Sequence, residues 1–180
     1  MKIKKQIVLA AVLCMAVPTV ASGCANSAKS GVEALEAGDY KEAQAQFEKL
    51  TEEKDKKKSA EGYRGLAMTY YEQEEYSSAL DAFKKAVDTG VVQTTQIYNL
   101  MGVCAMKTED YENARRHLDI ALSKDHEEII LSYEADCELK FLTGQYTDCL
   151  RACEHLLERD PHDYVAVSYT HLTLPTKRIV

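Results

Sequence analysis

The residues whose types and spacing could do chemistry lie in the stretch CLRACEH, at residues 149–155 of the 180-residue chain. Cys149 and Cys153 are four residues apart, so a helix would place both on one face, and His155 follows them. Thiolates and an imidazole can hold a zinc ion, and two thiols in an oxidising compartment can form a disulfide. Buried thiols with no chemical role are the third interpretation, so the choice depends on the elements that carry them.

The rest of the sequence offers few groups for catalysis. It contains no P-loop, no G-x-G-x-x-G, no H-E-x-x-H and no G-x-S-x-G motif, and its five histidines are scattered. We therefore expect that the protein is not an enzyme. We also expect no cofactor, no bound metal and no small-molecule substrate.

Acidic residues dominate the middle of the chain. Five of the 22 Lys and Arg residues lie in the end segments 1–23 and 167–180, which contain no acidic residue. The other 17 basic residues stand against 29 acidic ones, a net charge of −12. Because such a surface repels phosphate groups, we expect no nucleic-acid partner and no basic patch that binds lipid head groups.

Residues 1–23 have the layout of an export signal. Lysines at the start precede an apolar run, Ile7–Val20, and the small residues ASG lead to Cys24. A helical run of this length spans about 21 Å, less than the roughly 30 Å hydrocarbon core. The segment ASGC resembles the bacterial lipoprotein signal, which implies lipidation at Cys24 and a membrane-anchored protein facing the periplasm or the cell surface. An ordinary secreted protein and an uncleaved anchor are the alternatives.

Four similar stretches follow the signal segment: AGDYKEAQAQFEKL, QEEYSSALDAFKKAV, TEDYENARRHLDIAL and TGQYTDCLRACEHLL. Their tyrosines are Tyr40, Tyr76, Tyr111 and Tyr146, at intervals of 36, 35 and 35 residues. A period between about 20 and 50 residues is typical of an array of supersecondary units. Small and apolar residues recur after each tyrosine in steps of three and four, which predicts a helix with one apolar face.

The repeat resembles the tetratricopeptide repeat, and the best match is YRGLAMTYYEQEEYSSALDAFKKAV, with Tyr63, Leu66, Ala67, Ala79 and Phe83 in register. The resemblance implies an all-α fold, an α-solenoid of about four helix-turn-helix repeats over residues 24–163. The predicted repeats are 24–57, 60–93, 95–128 and 130–163, and residues 164–166 begin a fifth that is truncated. Asp136 and Lys140 depart from the pattern, which has Leu and Tyr there.

The repeat register favours the structural interpretation of the cysteines. Cys149 and Cys153 stand where the other repeats place Ala, Phe or Leu, and Cys104 is expected in the core. The resemblance implies that Cys137 and Cys149 occupy the two small positions that face each other where the helices of one repeat cross. A disulfide between Cys137 and Cys149 is therefore the second interpretation.

In tetratricopeptide proteins, the first helix of each repeat lines a concave surface. The positions that usually do so carry over to Arg64, Met68, Tyr71, Asn99, Val103, Met106, Lys107, Glu134, Glu138 and Phe141. Methionine and aromatic side chains among charges suit an extended peptide or a partner helix. Packing between helices is the alternative for the two methionines, the tyrosine and the phenylalanine of this set.

These features predict a non-catalytic scaffold that binds another protein or a peptide outside the cytoplasm and is anchored to a bacterial membrane. One alternative is a structural lipoprotein subunit of a cell-envelope assembly, such as secretion, pilus or outer-membrane machinery. Another is the regulatory part of a longer, truncated enzyme.

Residues 167–180, VSYTHLTLPTKRIV, depart from the preceding pattern. They are rich in Thr and β-branched residues and include Pro175, so we expect the helical pattern to stop at Val167. The codons GTC TCT TAT ACA CAT CTG ACG CTG CCG ACG would encode residues 167–176, and this DNA resembles a sequencing-library adapter. We therefore expect a non-native tail, and Leu150, Leu156 and Leu157 uncovered on the outer face of repeat four.

Overall fold

The structure is a computed structural model that describes residues 24–124 and 129–173. The backbone alone is described at residues 24–26, 124, 129, 130, 159 and 173. The predicted signal segment 1–23 and residues 174–180 of the predicted tail lie outside the described residues, and so does the side chain of Cys24.

All regular secondary structure in this part of the chain is helical. The helices are α1 (Cys24–Glu36), α2 (Tyr40–Thr51), α3 (Lys56–Glu72), α4 (Tyr76–Asp88), α5 (Thr95–Lys107), α6 (Tyr111–Lys124), α7 (Ile129–Leu142), α8 (Tyr146–Arg159) and α9 (Tyr164–Thr173). The four repeated tyrosines begin α2, α4, α6 and α8. None of the helices described is long and apolar enough to cross a membrane.

The chain divides into two compact units. The first, Met1–Gln93, contains α1 to α4, and the second, Thr94–Val180, contains α5 to α9. In the first unit each helix packs on the next, and α1 also contacts α3. In the second unit each helix from α5 to α8 also packs on the next, and α5 contacts α7. The last helix, α9, packs on α8 and α7. Each unit therefore consists of helical hairpins whose first helices lie side by side.

The same turn joins the two helices of each hairpin. The residue two positions before each repeated tyrosine has a positive φ: 77° at Gly38, 63° at Glu74, 61° at Glu109 and 74° at Gly144. In each turn this residue donates its N–H to the carbonyl three positions earlier, and the next residue donates to the carbonyl five positions earlier, at 2.8–3.1 Å. This pair of bonds is the Schellman motif, which ends the first helix.

Side-chain oxygens cap the starts of several helices. Asp39 accepts a hydrogen bond from an N–H of α2, Asp55 from α3, Thr94 from α5, Asp110 from α6 and Asp163 from the start of α9. Each such bond satisfies an N–H that has no partner within its helix, and each is worth about 1 kcal/mol. The recurring Asp before a hairpin's second helix therefore has a local structural cause.

Glycines allow close packing around the ring of Phe47, which is 2% exposed. A Cβ added at Gly65 on α3 would lie 2.2 Å from Phe47 Cδ1, and one added at Gly31 on α1 would lie 2.8 Å from Phe47 Cε1. Real Cβ atoms do not approach a ring so closely. The absence of both side chains therefore lets a single ring of α2 contact α1 and α3.

The expectation that the helical pattern stops at Val167 is wrong, because α9 continues to Thr173. Asp163 Oδ1 accepts a 2.8 Å hydrogen bond from the N–H of Ala166, which starts the helix. Ala166 is fully buried, and the ring of Tyr169 lies 5.1 Å from that of Phe141 on α7. Tertiary packing thus outweighs the weak helix propensity of the Thr and β-branched residues.

The expectation that the apolar face of α8 is uncovered is wrong as well. Leu156 is 0% exposed and Leu150 is 7% exposed, while Leu157 is partly buried. Leu156 and Leu157 belong to an apolar cluster that includes Ala166 and Tyr169 of α9. The last described helix therefore covers much of the face that the sequence left without a neighbour.

Candidate functional site

A pocket opens between α1 and α3 in the first unit. It is shallow, and the space that a water-sized group can occupy in it is about 20 Å³. It is lined by Val32, Leu35, Phe47, Glu61, Arg64, Gly65 and Met68. Val32, Leu35, Phe47 and Met68 make the floor apolar, while Glu61 and Arg64 supply one charge of each sign.

Two residues of the predicted binding set, Arg64 and Met68, line this pocket. Arg64 is half-buried, whereas Met68 is only 3% exposed and contributes chiefly to the core. Tyr71 lies one turn further along α3, where its ring meets that of Tyr76 edge to face at 5.7 Å. Tyr71 therefore has a structural contact within its own hairpin.

The predicted residues on α5 differ in accessibility. Met106 is 4% exposed and Asn99 is 7% exposed, whereas Val103 is half-buried and Lys107 is exposed. Asn99 Oδ1 is buried without a hydrogen-bond partner among the residues that the structure describes. A buried amide oxygen without a partner is a group that the N–H of a ligand or a water could satisfy.

The structure brings two of the predicted residues together across α5 and α7. Lys107 Nζ lies 3.4 Å from Glu138 Oε1, with side-chain exposures of 44% and 34%. Glu134 lies one turn earlier on α7 and is half-buried. Phe141 packs against Tyr146 at 5.6 Å, so its ring belongs mainly to the hairpin core. The accessible part of this surface is therefore charged.

The two residues of α7 that depart from the family pattern form an ion pair. Lys140 Nζ lies 2.5 Å from Asp136 Oδ2, and the carboxylate side chain is 7% exposed. The family pattern places Leu and Tyr at these positions, so an apolar contact is replaced by a largely buried charged one. The pairing offsets part of the cost of burying the Asp136 carboxylate.

Three thiols meet inside the α7–α8 hairpin. Cys137, Cys149 and Cys153 are all 0% exposed and belong to one apolar cluster. Cys137 Sγ and Cys153 Sγ are 3.5 Å apart, and Cys137 Sγ lies 3.9 Å from the carbonyl oxygen of Cys149. All three are free thiols, and the predicted Cys137–Cys149 disulfide stays a prediction.

His155 is exposed, whereas the three thiols are buried. Its ring stacks on that of Tyr133 at 6.1 Å, and its Nδ1 lies 3.7 Å from Glu158. Within residues 24–124 and 129–173, no group of three or more His, Cys, Asp or Glu side chains is arranged to hold a metal ion. Cys149 and Cys153 are both buried in the apolar cluster, so their spacing places them on the core face of α8.

The environment of the thiols shifts their pKa values apart. The hydrogen bond with Cys153 and burial both raise the pKa of Cys137, and burial raises that of Cys149 to about 12. The hydrogen bond between Cys153 and Cys137 lowers the pKa of Cys153 to about 7, although burial acts in the opposite direction. Cys153 is thus the thiol of this cluster that ionises most readily, whereas burial raises the pKa of Cys104 to about 12.

Residues 29–90 match the family model described as tetratricopeptide repeat. A comparison with curated proteins finds no match. YrrB, a TPR protein with an unusual peptide-binding site, is 20% identical, with a TM-score of 0.73 over 84% of this chain and 76% of that one. MamA is 17% identical, with a TM-score of 0.78 over 87% and 83%. TTC0263, a thermophilic TPR protein of Thermus thermophilus, is 18% identical, with a TM-score of 0.65 over 85% and 82%.

These likenesses show the fold. The chain is an all-α protein of tetratricopeptide-type helical hairpins, and the predicted fold class is confirmed. The family model covers α2, α3 and α4 and part of α1, where the sequence repeat is most regular.

Proposed function

We propose that this protein is a non-catalytic scaffold that binds an extended peptide, or a peptide-like segment of another protein, on the face formed by α1 and α3. The observation that carries the proposal is the pocket between these helices, with its apolar floor and its two opposite charges. A small apolar side chain of a peptide can rest on such a floor, and Glu61 and Arg64 can orient the peptide's polar groups.

Two further observations support a peptide as the ligand. YrrB, which has the same fold, is described as having a peptide-binding site. The high negative charge of the chain favours partners with basic residues around the apolar anchor.

Selection from a random peptide library on the full chain, followed by fluorescence anisotropy, tests the proposal. The informative variant is Val32→Lys, which puts a charge at the half-buried edge of the pocket. Its matched control is Val91→Lys, at a valine that is 42% exposed and outside the pocket. We expect selected peptides to bind Val32→Lys about tenfold more weakly or worse, because an apolar contact is replaced by a desolvated charge.

The Val91→Lys variant should bind these peptides with unchanged affinity. Circular dichroism must show that both variants keep their helical content. Equal binding by both variants, or a selection that yields no peptide above background, would count against this surface. Capture of a stoichiometric assembly from membranes, with no peptide binding, would instead favour the structural subunit of an envelope complex.

We also propose that the scaffold is exported and held at a membrane by a lipid on Cys24. The supporting observations are the ASGC segment and the start of α1 at Cys24, which would leave no linker between the lipid and the first hairpin. In a bacterial host, the full chain should incorporate labelled fatty acid and sediment with membranes, and Cys24→Ala should do neither. Labelling that persists in Cys24→Ala would refute lipidation at this residue.

A further inference from the structure

The geometry of the three thiols in the second unit favours one pair for covalent bond formation. The sulfurs of Cys137 on α7 and Cys153 on α8 are 3.5 Å apart, while a disulfide bond is about 2.05 Å long. The two atoms therefore need to approach by about 1.5 Å for the bond to form. Cys137 meets Cys149 differently, because its sulfur faces the carbonyl oxygen of that residue.

We propose that Cys137 and Cys153 are a redox-active pair that closes to a disulfide between α7 and α8 when the protein meets a reactive low-molecular-weight disulfide. The bond would link the two helices of one hairpin across 16 residues of chain. It differs from the Cys137–Cys149 pairing that the repeat register predicts. It is also independent of peptide binding on α1 and α3.

The reaction is thiol–disulfide exchange in two steps. The Cys153 thiolate attacks one sulfur of the external disulfide, whose S–S bond breaks and whose other half leaves as a thiolate. The Cys137 thiolate then attacks Cys153 Sγ and displaces the second half. The protein loses two protons and two electrons, and the external disulfide gains both electrons and becomes two thiols. Cys153 is the first nucleophile because its pKa is the lowest of the three thiols, and its sulfur lies 3.5 Å from the Cys137 sulfur that completes the exchange.

Access to the pair depends on α9. Cys137 and Cys153 are 0% exposed, and Ala166 and Tyr169 of α9 belong to the cluster around them. The start of α9 is held by the hydrogen bond from the Ala166 N–H to Asp163. Transient opening of α9 would expose the thiols, so the rate of disulfide formation should follow the stability of this helix.

Trypsin separates the three cysteines, so mass spectrometry can identify which two form the disulfide. Cleavage after Lys124, Lys140, Arg151 and Arg159 places Cys137, Cys149 and Cys153 on three separate peptides, 125–140, 141–151 and 152–159. The purified full chain is equilibrated with oxidised glutathione, quenched with acid, alkylated under denaturing conditions and digested. Mass spectrometry of the unreduced digest then identifies which peptides are linked.

We expect a linked species of peptides 125–140 and 152–159 and the loss of two free thiols per chain. Cys149→Ala should retain this link, and Cys153→Ala should lack it while keeping its helical content. A link between 125–140 and 141–151, or between 141–151 and 152–159, would overturn the assignment. A full thiol count at every glutathione ratio would overturn it too.

Two cap variants test the role of α9. Asp163→Ala removes the cap of α9 and should speed formation of the link about fivefold, the effect of one lost helix cap on local opening. Asp110→Ala removes the corresponding cap of α6 in the same unit and should leave the rate nearly unchanged. Equal rates in the two variants would contradict access through α9.

Discussion

Replacing Glu74 by glycine should stabilise the first unit. Glu74 has a φ of 63°, a left-handed conformation that costs a residue with a side chain about 1–2 kcal/mol. Glycine avoids this cost, but its greater freedom stabilises the unfolded chain by about 0.4–1 kcal/mol. The difference is a gain of roughly 0.5–1 kcal/mol in the free energy of unfolding, or a rise of about 1–4 °C in Tm.

The proper reference for Glu74→Gly is Glu74→Ala, which removes the same carboxylate and keeps the Cβ. Gly144→Ala is the reverse change at the equivalent position, where φ is 74°, and should destabilise by about 0.5–1 kcal/mol. Urea denaturation followed by circular dichroism measures all three, with unchanged slopes as the condition for comparison. If Glu74→Gly is no more stable than Glu74→Ala, the left-handed conformation at this turn carries no measurable strain.

Two further predictions concern packing and charge. Gly65→Ala would place a Cβ 2.2 Å from the Phe47 ring and should lower the free energy of unfolding by about 1–3 kcal/mol in urea denaturation. Adding Phe47→Leu to this variant should recover part of the loss. Strictly additive effects of the two substitutions would contradict a direct clash. Asp136→Ala leaves the ammonium of Lys140, whose side chain is 21% exposed, without its 2.5 Å partner and should cost about 1–3 kcal/mol in the same assay. Arg116→Ala, at an exposed ion pair, is the control and should change the free energy of unfolding by less than about 0.5 kcal/mol. Equal losses in Asp136→Ala and Arg116→Ala would contradict the role of burial.

The hairpin repeat could be predicted from the sequence because its signal is local. The period of Tyr40 and its equivalents predicted the hairpin length, and the structure places Gly38 and Gly144 at two of the four turns. At Glu74 and Glu109 the same left-handed turn is formed by glutamate, so residue type gave no signal there. The hydrogen bonds of the Schellman turn impose the conformation that the local sequence disfavours.

Features that depend on how helices meet could not be predicted in this way. The accessibility of Met68 and Met106 depends on neighbouring helices, and both are under 5% exposed. The approach of Cys137 to Cys153 depends on the register of α7 against α8, where a shift of one turn would select another cysteine. The continuation of α9 depends on burial of Ala166 beside that hairpin.

The position of Phe47 has a consequence for cooperativity. In a repeat array, the coupling between neighbours comes from the interface between them, since each repeat contacts little else. Here one ring contacts Gly31 in its own hairpin and Gly65 in the next, so this side chain contributes to the coupling between the first two hairpins, together with Leu50, which packs against Gly62. Shrinking that ring would weaken the coupling between the two hairpins, so the first hairpin would open more often without the second and its amide hydrogens would exchange faster.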